Sequence, residues 1–130
     1  MKKPRFLDLA DILEIHQSRI TLYGGTNGIR DLGMLQSALA QPQAGMNEEF
    51  LHKDLYEMAA AYLFHIARNH PFLDGNKRTA LAVCLVFLDF NGIEIDVNPD
   101  ELESITVDVS AGKATKEDAA AFLKRCGHET

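Results

Sequence analysis

The stretch from Lys77 to Phe90 is apolar almost all the way round and lies between two breaker pairs, Gly75-Asn76 and Asn91-Gly92. Val83, Val86 and Phe87 favour sheets, but about four turns of unbroken pattern exceed an ordinary buried strand. The length predicts a central helix buried on every side. Everything else in the chain then has to pack around that helix. Phe6, Leu9, Leu13, His16 and Ile20 recur at three- and four-residue steps and share one helical face, which Tyr23-Gly24-Gly25 ends. After the turn Thr26-Asn27-Gly28, Asp31 caps a shorter helix carrying Leu32, Leu35 and Leu39 and stopped by Pro42.

From about Asp54, Leu55, Met58, Ala59, Tyr62, Leu63 and Ile66 repeat the helical period and stop before Pro71. A proline disfavours helical geometry at the residue before it, so His70 is expected at the helix exit or in a loop. Asn98-Pro99-Asp100-Glu101 and Thr115-Lys116-Glu117-Asp118 are two further capped starts. The one candidate strand, Ile93 to Val97, has no obvious partner, and Gly127 to Thr130 are expected to fray. The expectation is an all-α bundle of about six helices around a central buried helix, with residues 1–130 forming a single domain.

Composition narrows what such a bundle can do. Of 130 residues, 46% are apolar and 25% charged, enough to bury a core, and 19 acids against 13 bases give a net charge of −6. That balance repels phosphate backbones and anionic bilayers, so direct DNA binding and membrane association are not expected. The apolar run Ala80 to Leu88 is too short to span a bilayer. The basic start Met1 to Arg5 meets Asp8 and Asp11 before any signal-peptide core develops, which points to the cytoplasm. Cys84 and Cys126 form no metal or disulfide spacing, and the neighbours of Cys84 predict an inert core thiol.

One stretch breaks the pattern: His70-Pro71-Phe72-Leu73-Asp74-Gly75-Asn76-Lys77-Arg78, between two well-patterned helices. With Asp74 as cap, Gly75, Asn76, Lys77 and Arg78 fill the first turn of the buried helix, where free N–H groups and the dipole are already positive. Two cations there are unfavourable unless an anion compensates them. Gly75 lets backbone approach closely, Asn76 and Lys77 add donors, and Arg78 offers a bidentate fork, together suited to adjacent phosphates of a nucleotide. Asp74 supplies an oxygen of the kind Mg²⁺ prefers. His70 has the proton affinity to accept a proton from an attacking hydroxyl. These roles make up phosphate-group transfer; the plain alternative is a solvated helix start, a cap and a turn histidine.

Other residues read more simply. His65 and His70 are five apart and do not make the one-face pair of a zinc protease. His16 lies on an apolar face, as a hydrogen-bonded core or cleft-lining histidine does, while His52 and His128 read as surface residues. Tyr56 and Tyr62 read as packing, not as a stacking platform.

The string from His70 to Arg78 resembles the signature of the Fic superfamily, H-P-F-x-[DE]-G-N-x-R, and meets every specified position. Lys77, Tyr23-Gly24-Gly25 after a helix containing His16, and Gly28-Ile29-Arg30-Asp31 resemble the death-on-curing (Doc) toxin family; the likeness is strongest from about residue 11 to 92. The resemblance implies a toxin of a toxin-antitoxin pair that acts on translation. It implies His70 as general base, Phe72 as the apolar anchor of the loop, Asp74 as the metal-facing acid, Gly75 and Asn76 as the anion-binding turn, and Lys77 and Arg78 as phosphate contacts. Arg68 resembles an accessory basic residue, and equally a surface arginine at a helix end.

Fic proteins usually transfer AMP from ATP, with glycine where this chain has Lys77. In Doc-like members the lysine goes with transfer of the terminal phosphate, a threonine of elongation factor Tu being the known type of target. ATP and Mg²⁺ are the implied cofactors. The inhibitory pattern [ST]-x-x-x-E-[GN] does not occur in these residues, which implies control by a separate, Phd-like antitoxin that folds into a groove beside the site. AMP transfer and a non-catalytic helical interaction module are the alternatives.

Overall fold

The computed structural model describes residues 3–130; Met1 and Lys2, the outermost part of the basic start, lie outside them. In chain order the elements are α1 (Leu9–Tyr23), α2 (Leu32–Ala40), β1 (Gly45–Met46), β2 (Glu49–Phe50), α3 (Leu55–Asn69), α4 (Asn76–Phe90), β3 (Ile93–Ile95), α5 (Pro99–Ser110), α6 (Lys116–Cys126) and β4 (Gly127–Glu129). The fold is all-α, with strand pairing confined to two short antiparallel ribbons, β1–β2 and β3–β4. Among the described residues no helix is long and apolar enough to cross a membrane.

The helix starts expected at Asp31, Asp54, Asn98 and Thr115 are the observed ones, and Asp8 caps α1 in the same way. Asp8, Asp31, Asp54, Asn98 and Thr115 each accept a backbone N–H of the first turn, with reciprocal capping boxes at Asp8–Asp11 and Thr115–Asp118.

The centre of the bundle differs from expectation. α3 packs against α4, α6, α2 and α5, and its residues from Met58 to Leu63 are buried without a break. Ala59, Ala60 and Ala61 are small enough to let neighbouring helices close on all sides. α4 is buried only along Thr79, Ala80, Val83, Cys84, Phe87 and Leu88. Leu81, Ala82, Leu85 and Val86 are half-buried, and Ala82, Leu85 and Val86 line a groove of about 490 Å³ shared with α1. An apolar wheel records what a helix can bury, whereas its neighbours decide what it does bury.

The chain before α1 is tied down by buried polar contacts. The Tyr62 hydroxyl accepts from Leu7 N–H at 3.0 Å and donates to Leu7 C=O at 3.4 Å, while its ring lies 5.1 Å from that of Phe87. Burial pushes this phenol up to about 12. Asn91, just past α4, exchanges two hydrogen bonds with the Arg5 backbone and donates to Phe87 C=O.

Two sequence expectations are overturned at the far end. Gly127–Glu129 does not fray: it supplies the partner that Ile93–Ile95 lacked, with Glu94 opposite His128. His52 is buried, not a surface residue: it follows the β1–β2 hairpin and lines a pocket with Tyr56 and Glu57 of α3 and Lys116 and Glu117 of α6. Burial first, then Lys116, lowers its affinity for protons. Nearby, Lys116 Nζ donates to His65 Nε2 at 3.0 Å, and burial, then Lys116 and His52, hold His65 down to about 4.

Two consequences are measurable. Replacing Tyr62 by Phe strands the Leu7 N–H and should cost about 1–2 kcal/mol, read as a lower urea midpoint at unchanged slope. Below its ordinary value of 6.5, unfolded His65 takes up a proton that the folded chain refuses until about 4. Stability should therefore fall as pH drops through that window, and H65Q should flatten part of the decline in urea midpoints.

Candidate functional site

The expected site residues lie in the connection between α3 and α4, which holds His70, Phe72, Asp74 and Gly75, and in the first turn of α4, which holds Asn76, Lys77 and Arg78. α3 ends at His70, whose backbone is left-handed at φ 47° and ψ 55°. Among the described residues the other non-glycine positions of this kind are Asn47 and Glu48, in the β1–β2 turn. A side-chain-bearing residue persists there only when its surroundings hold it.

The surroundings come from segment 28–31. Ile29 bridges antiparallel to Phe72, Leu73 N–H donates to Gly28 C=O at 3.0 Å, and Pro71 C=O accepts from Arg30 N–H at 2.8 Å and Asp31 N–H at 3.0 Å. The Arg30 side chain adds Nε to His70 C=O at 2.6 Å and Nη2 to Asn69 C=O at 2.9 Å.

Inside the loop, Phe72 is fully buried and stacks on His16, with ring centroids 3.8 Å apart and planes 6° apart. The ring thus lies inside the bundle at the middle of the loop. His16 Nε2 donates to Asp74 C=O at 2.9 Å, which makes it the hydrogen-bonded cleft histidine read from the sequence. Asn76 closes the loop from the other side: its Oδ1 accepts Phe72 N–H at 2.9 Å and its Nδ2 donates to Phe72 C=O at 3.0 Å. Most of the Asn76 amide is thus engaged within the loop, and what it can offer an anion is its backbone N–H and one remaining amide hydrogen.

Asp74 is not the cap of α4. That position falls to Gly75, left-handed at φ 74°, and no side chain caps the helix. Asp74 sits one residue earlier, its Oδ1 accepting Gly75 N–H at 2.9 Å and its Oδ2 accepting Thr26 N–H at 3.2 Å. A Cβ on Gly25 would lie 2.8 Å from that Oδ2, so the glycine is what lets the carboxylate and the Thr26 amide meet. The first backbone bond of α4 is Thr79 N–H to Gly75 C=O, which leaves the N–H groups of Asn76, Lys77 and Arg78 at a helix end with positive dipole and no cap.

Lys77 and Arg78 are exposed. Arg78 rests over the Tyr23 ring at 5.3 Å, with Nη1 3.4 Å from Gly24 C=O; Arg19 approaches the same ring at 5.5 Å. Arg68 points away, over the Phe64 ring at 5.6 Å, as the surface reading of that residue has it. Cys84 is buried and its thiol pushed up to about 12, outside any reactive range.

Among the described residues no group of three His, Cys, Asp or Glu could hold a metal ion. The exposed Asp74 carboxylate beside the helix mouth has lone pairs to spare, which suits Mg²⁺ bound by one carboxylate together with phosphates and water. The sequence marked Tyr23 and Arg30 only as parts of the segments that carry the family resemblance and gave them, like Thr26, no role at the site, although the cluster Gly24, Gly25 and Gly28 signals close backbone approach.

A six-helix bundle with a buried-phenylalanine loop opening onto an uncapped helix defines the class. The chain belongs to the Fic/DOC family, whose family model matches residues 6–88. Over 121 residues it is 36% identical to "Protein kinase doc" of Escherichia phage P1, covering 93% of this chain and 94% of that protein. It is likewise 36% identical over 120 residues to "Toxin Doc" of Mycolicibacterium smegmatis, covering 91% and 90% respectively.

The loop's closure is testable without substrate. Asn76→Ala leaves the Phe72 N–H and C=O unpaired and should cost roughly 1–3 kcal/mol. Urea unfolding checks the loss, and native-state hydrogen exchange should show the Phe72 amide losing protection.

Proposed function

We propose that this protein is a Doc-type toxin, a transferase that moves the terminal phosphate of ATP to a hydroxyl side chain of a translation factor. A threonine of elongation factor Tu is the target class. The observation that carries this is the mouth of α4: five helices are capped by side chains, and the one following the signature loop is left open, with Lys77 and Arg78 in its first turn. That arrangement favours an anion. The printed name of the phage P1 relative, a protein kinase, favours phosphate transfer over other uses of such a site.

In this reading the N–H groups of Asn76, Lys77 and Arg78 face the phosphates, the Lys77 ammonium adds a mobile point charge, and the Arg78 fork follows charge onto the departing group. Asp74 holds Mg²⁺ with the nucleotide, and the ion neutralises phosphate charge when bound. His70 Nδ1 or Nε2 takes the proton from the threonine hydroxyl as its oxygen bonds to the γ-phosphorus. The bond from that phosphorus to the bridging oxygen breaks and ADP departs with its electron pair. Residues 1–130 act as a single domain in the cytoplasm, and the toxin is silenced by a separately encoded, Phd-like antitoxin.

AMP transfer is the second reading, favoured by the intact motif apart from Lys77. Incubating the protein and elongation factor Tu with ATP labelled at the α or the γ phosphate separates the two. Label should move from the γ position, and transfer from the α position alone would overturn the kinase reading. H70A should keep the helical circular-dichroism spectrum and lose transfer by roughly a hundred-fold or more. A variant that stays fully toxic would point instead to a non-catalytic interaction module.

A further inference from the structure

Arg30 is exposed and stands outside the signature motif, yet one residue satisfies three successive carbonyls at the exit of α3. Its guanidinium donates to Asn69 C=O and His70 C=O, and its backbone N–H to Pro71 C=O. The first two belong to the set of helix-end carbonyls that lack an intrahelical partner and carry the negative end of the dipole, where a cation is favoured.

The geometry says more than capping. The Asn69 oxygen lies in the peptide plane before the His70 Cα, and the His70 oxygen in the plane after it. A planar fork holding both oxygens limits the angle between those planes, and with it the combinations of φ and ψ open to His70. The direction of the His70 Cβ follows from them. His70 needs such help, because its left-handed backbone is disfavoured for a residue with a Cβ and no glycine relieves it.

We propose that Arg30 is a positioning residue for His70: its guanidinium sets the backbone from which the imidazole reaches the reacting hydroxyl. Asn76 and Gly75 are held by other contacts, to Phe72 and Asp74, so nucleotide binding should be largely independent of Arg30. Lysine cannot replace it, since a single ammonium has no fixed angle between two donors.

The proposal rests on the role given to His70 above, and its test has one arm that does not. In the full chain, R30A and R30K should each lower kcat for γ-phosphate transfer by about ten-fold or more while KM for ATP stays within about two-fold. Added guanidinium ion should restore part of the activity of R30A. Independently of any turnover, the three-bond coupling between the His70 amide and α protons should shift in both variants, as the backbone leaves the left-handed region. An R30K protein with wild-type kcat, or an unchanged His70 coupling in R30A, would overturn the proposal. A fall in kcat that matches only the unfolded fraction seen by circular dichroism would overturn it too. If the wild-type chain moves no phosphate at all, the transfer reading fails, and the coupling alone still decides whether Arg30 sets the His70 backbone.

Discussion

The burial of one phenylalanine ring governs the geometry of the whole signature loop. Phe72 is sealed between the bundle and the His16 ring, and both polar groups of its backbone are bonded to the Asn76 side chain. A loop fixed at its middle by an apolar anchor and two hydrogen bonds has little freedom left at its ends. His70 on one side and Gly75 on the other are held in left-handed conformations that a mobile loop would relax. Rigid placement of a few polar groups on an apolar pin is what a transfer site requires, because positioning supplies most of the rate when the chemistry is charge redistribution.

Around that pin, three parts of the chain converge. Segment 28–31 lies alongside the loop through a single antiparallel bridge, α1 contributes His16 beneath it, and Tyr23 with Gly24 and Gly25 forms the wall on which Arg78 rests. The cationic side chains are exposed and the anchoring ones buried, so the helix mouth is electropositive in a chain whose overall charge is −6. A local positive site on an acidic protein favours a small polyanion over a nucleic-acid duplex, which needs an extended basic surface.

Much of the fold was legible because helix boundaries are written locally. Asp31, Asp54, Asn98-Pro99 and Thr115 cap the helices that they announce, and Pro71 places His70 at a helix exit. The signature from His70 to Arg78 was legible as a contradiction, with two cations where a helix dipole is already positive. Less visible was how the loop uses its residues. Asp74 reads as a cap by type and spacing, yet the tight turn hands that position to Gly75 and leaves the carboxylate for the Thr26 amide. Asn76 reads as a donor for a ligand and is largely engaged with Phe72. In both cases the sequence names the polar group and the fold supplies its partner, four residues back for Asn76 and 48 positions away, at Thr26, for Asp74.

Local sequence, through capping side chains, helical periodicity and the breakers between them, determined that this is an all-α chain and where its signature loop begins. Tertiary structure alone decided that α3 takes the centre, that His52 is buried, that β4 closes on β3, and that Arg30 spans 39 positions to reach Asn69. The physical reason is range. Caps and periods act over three or four residues and are recorded where they act, whereas burial and hydrogen bonding between distant segments exist only once the helices have packed and brought those segments together.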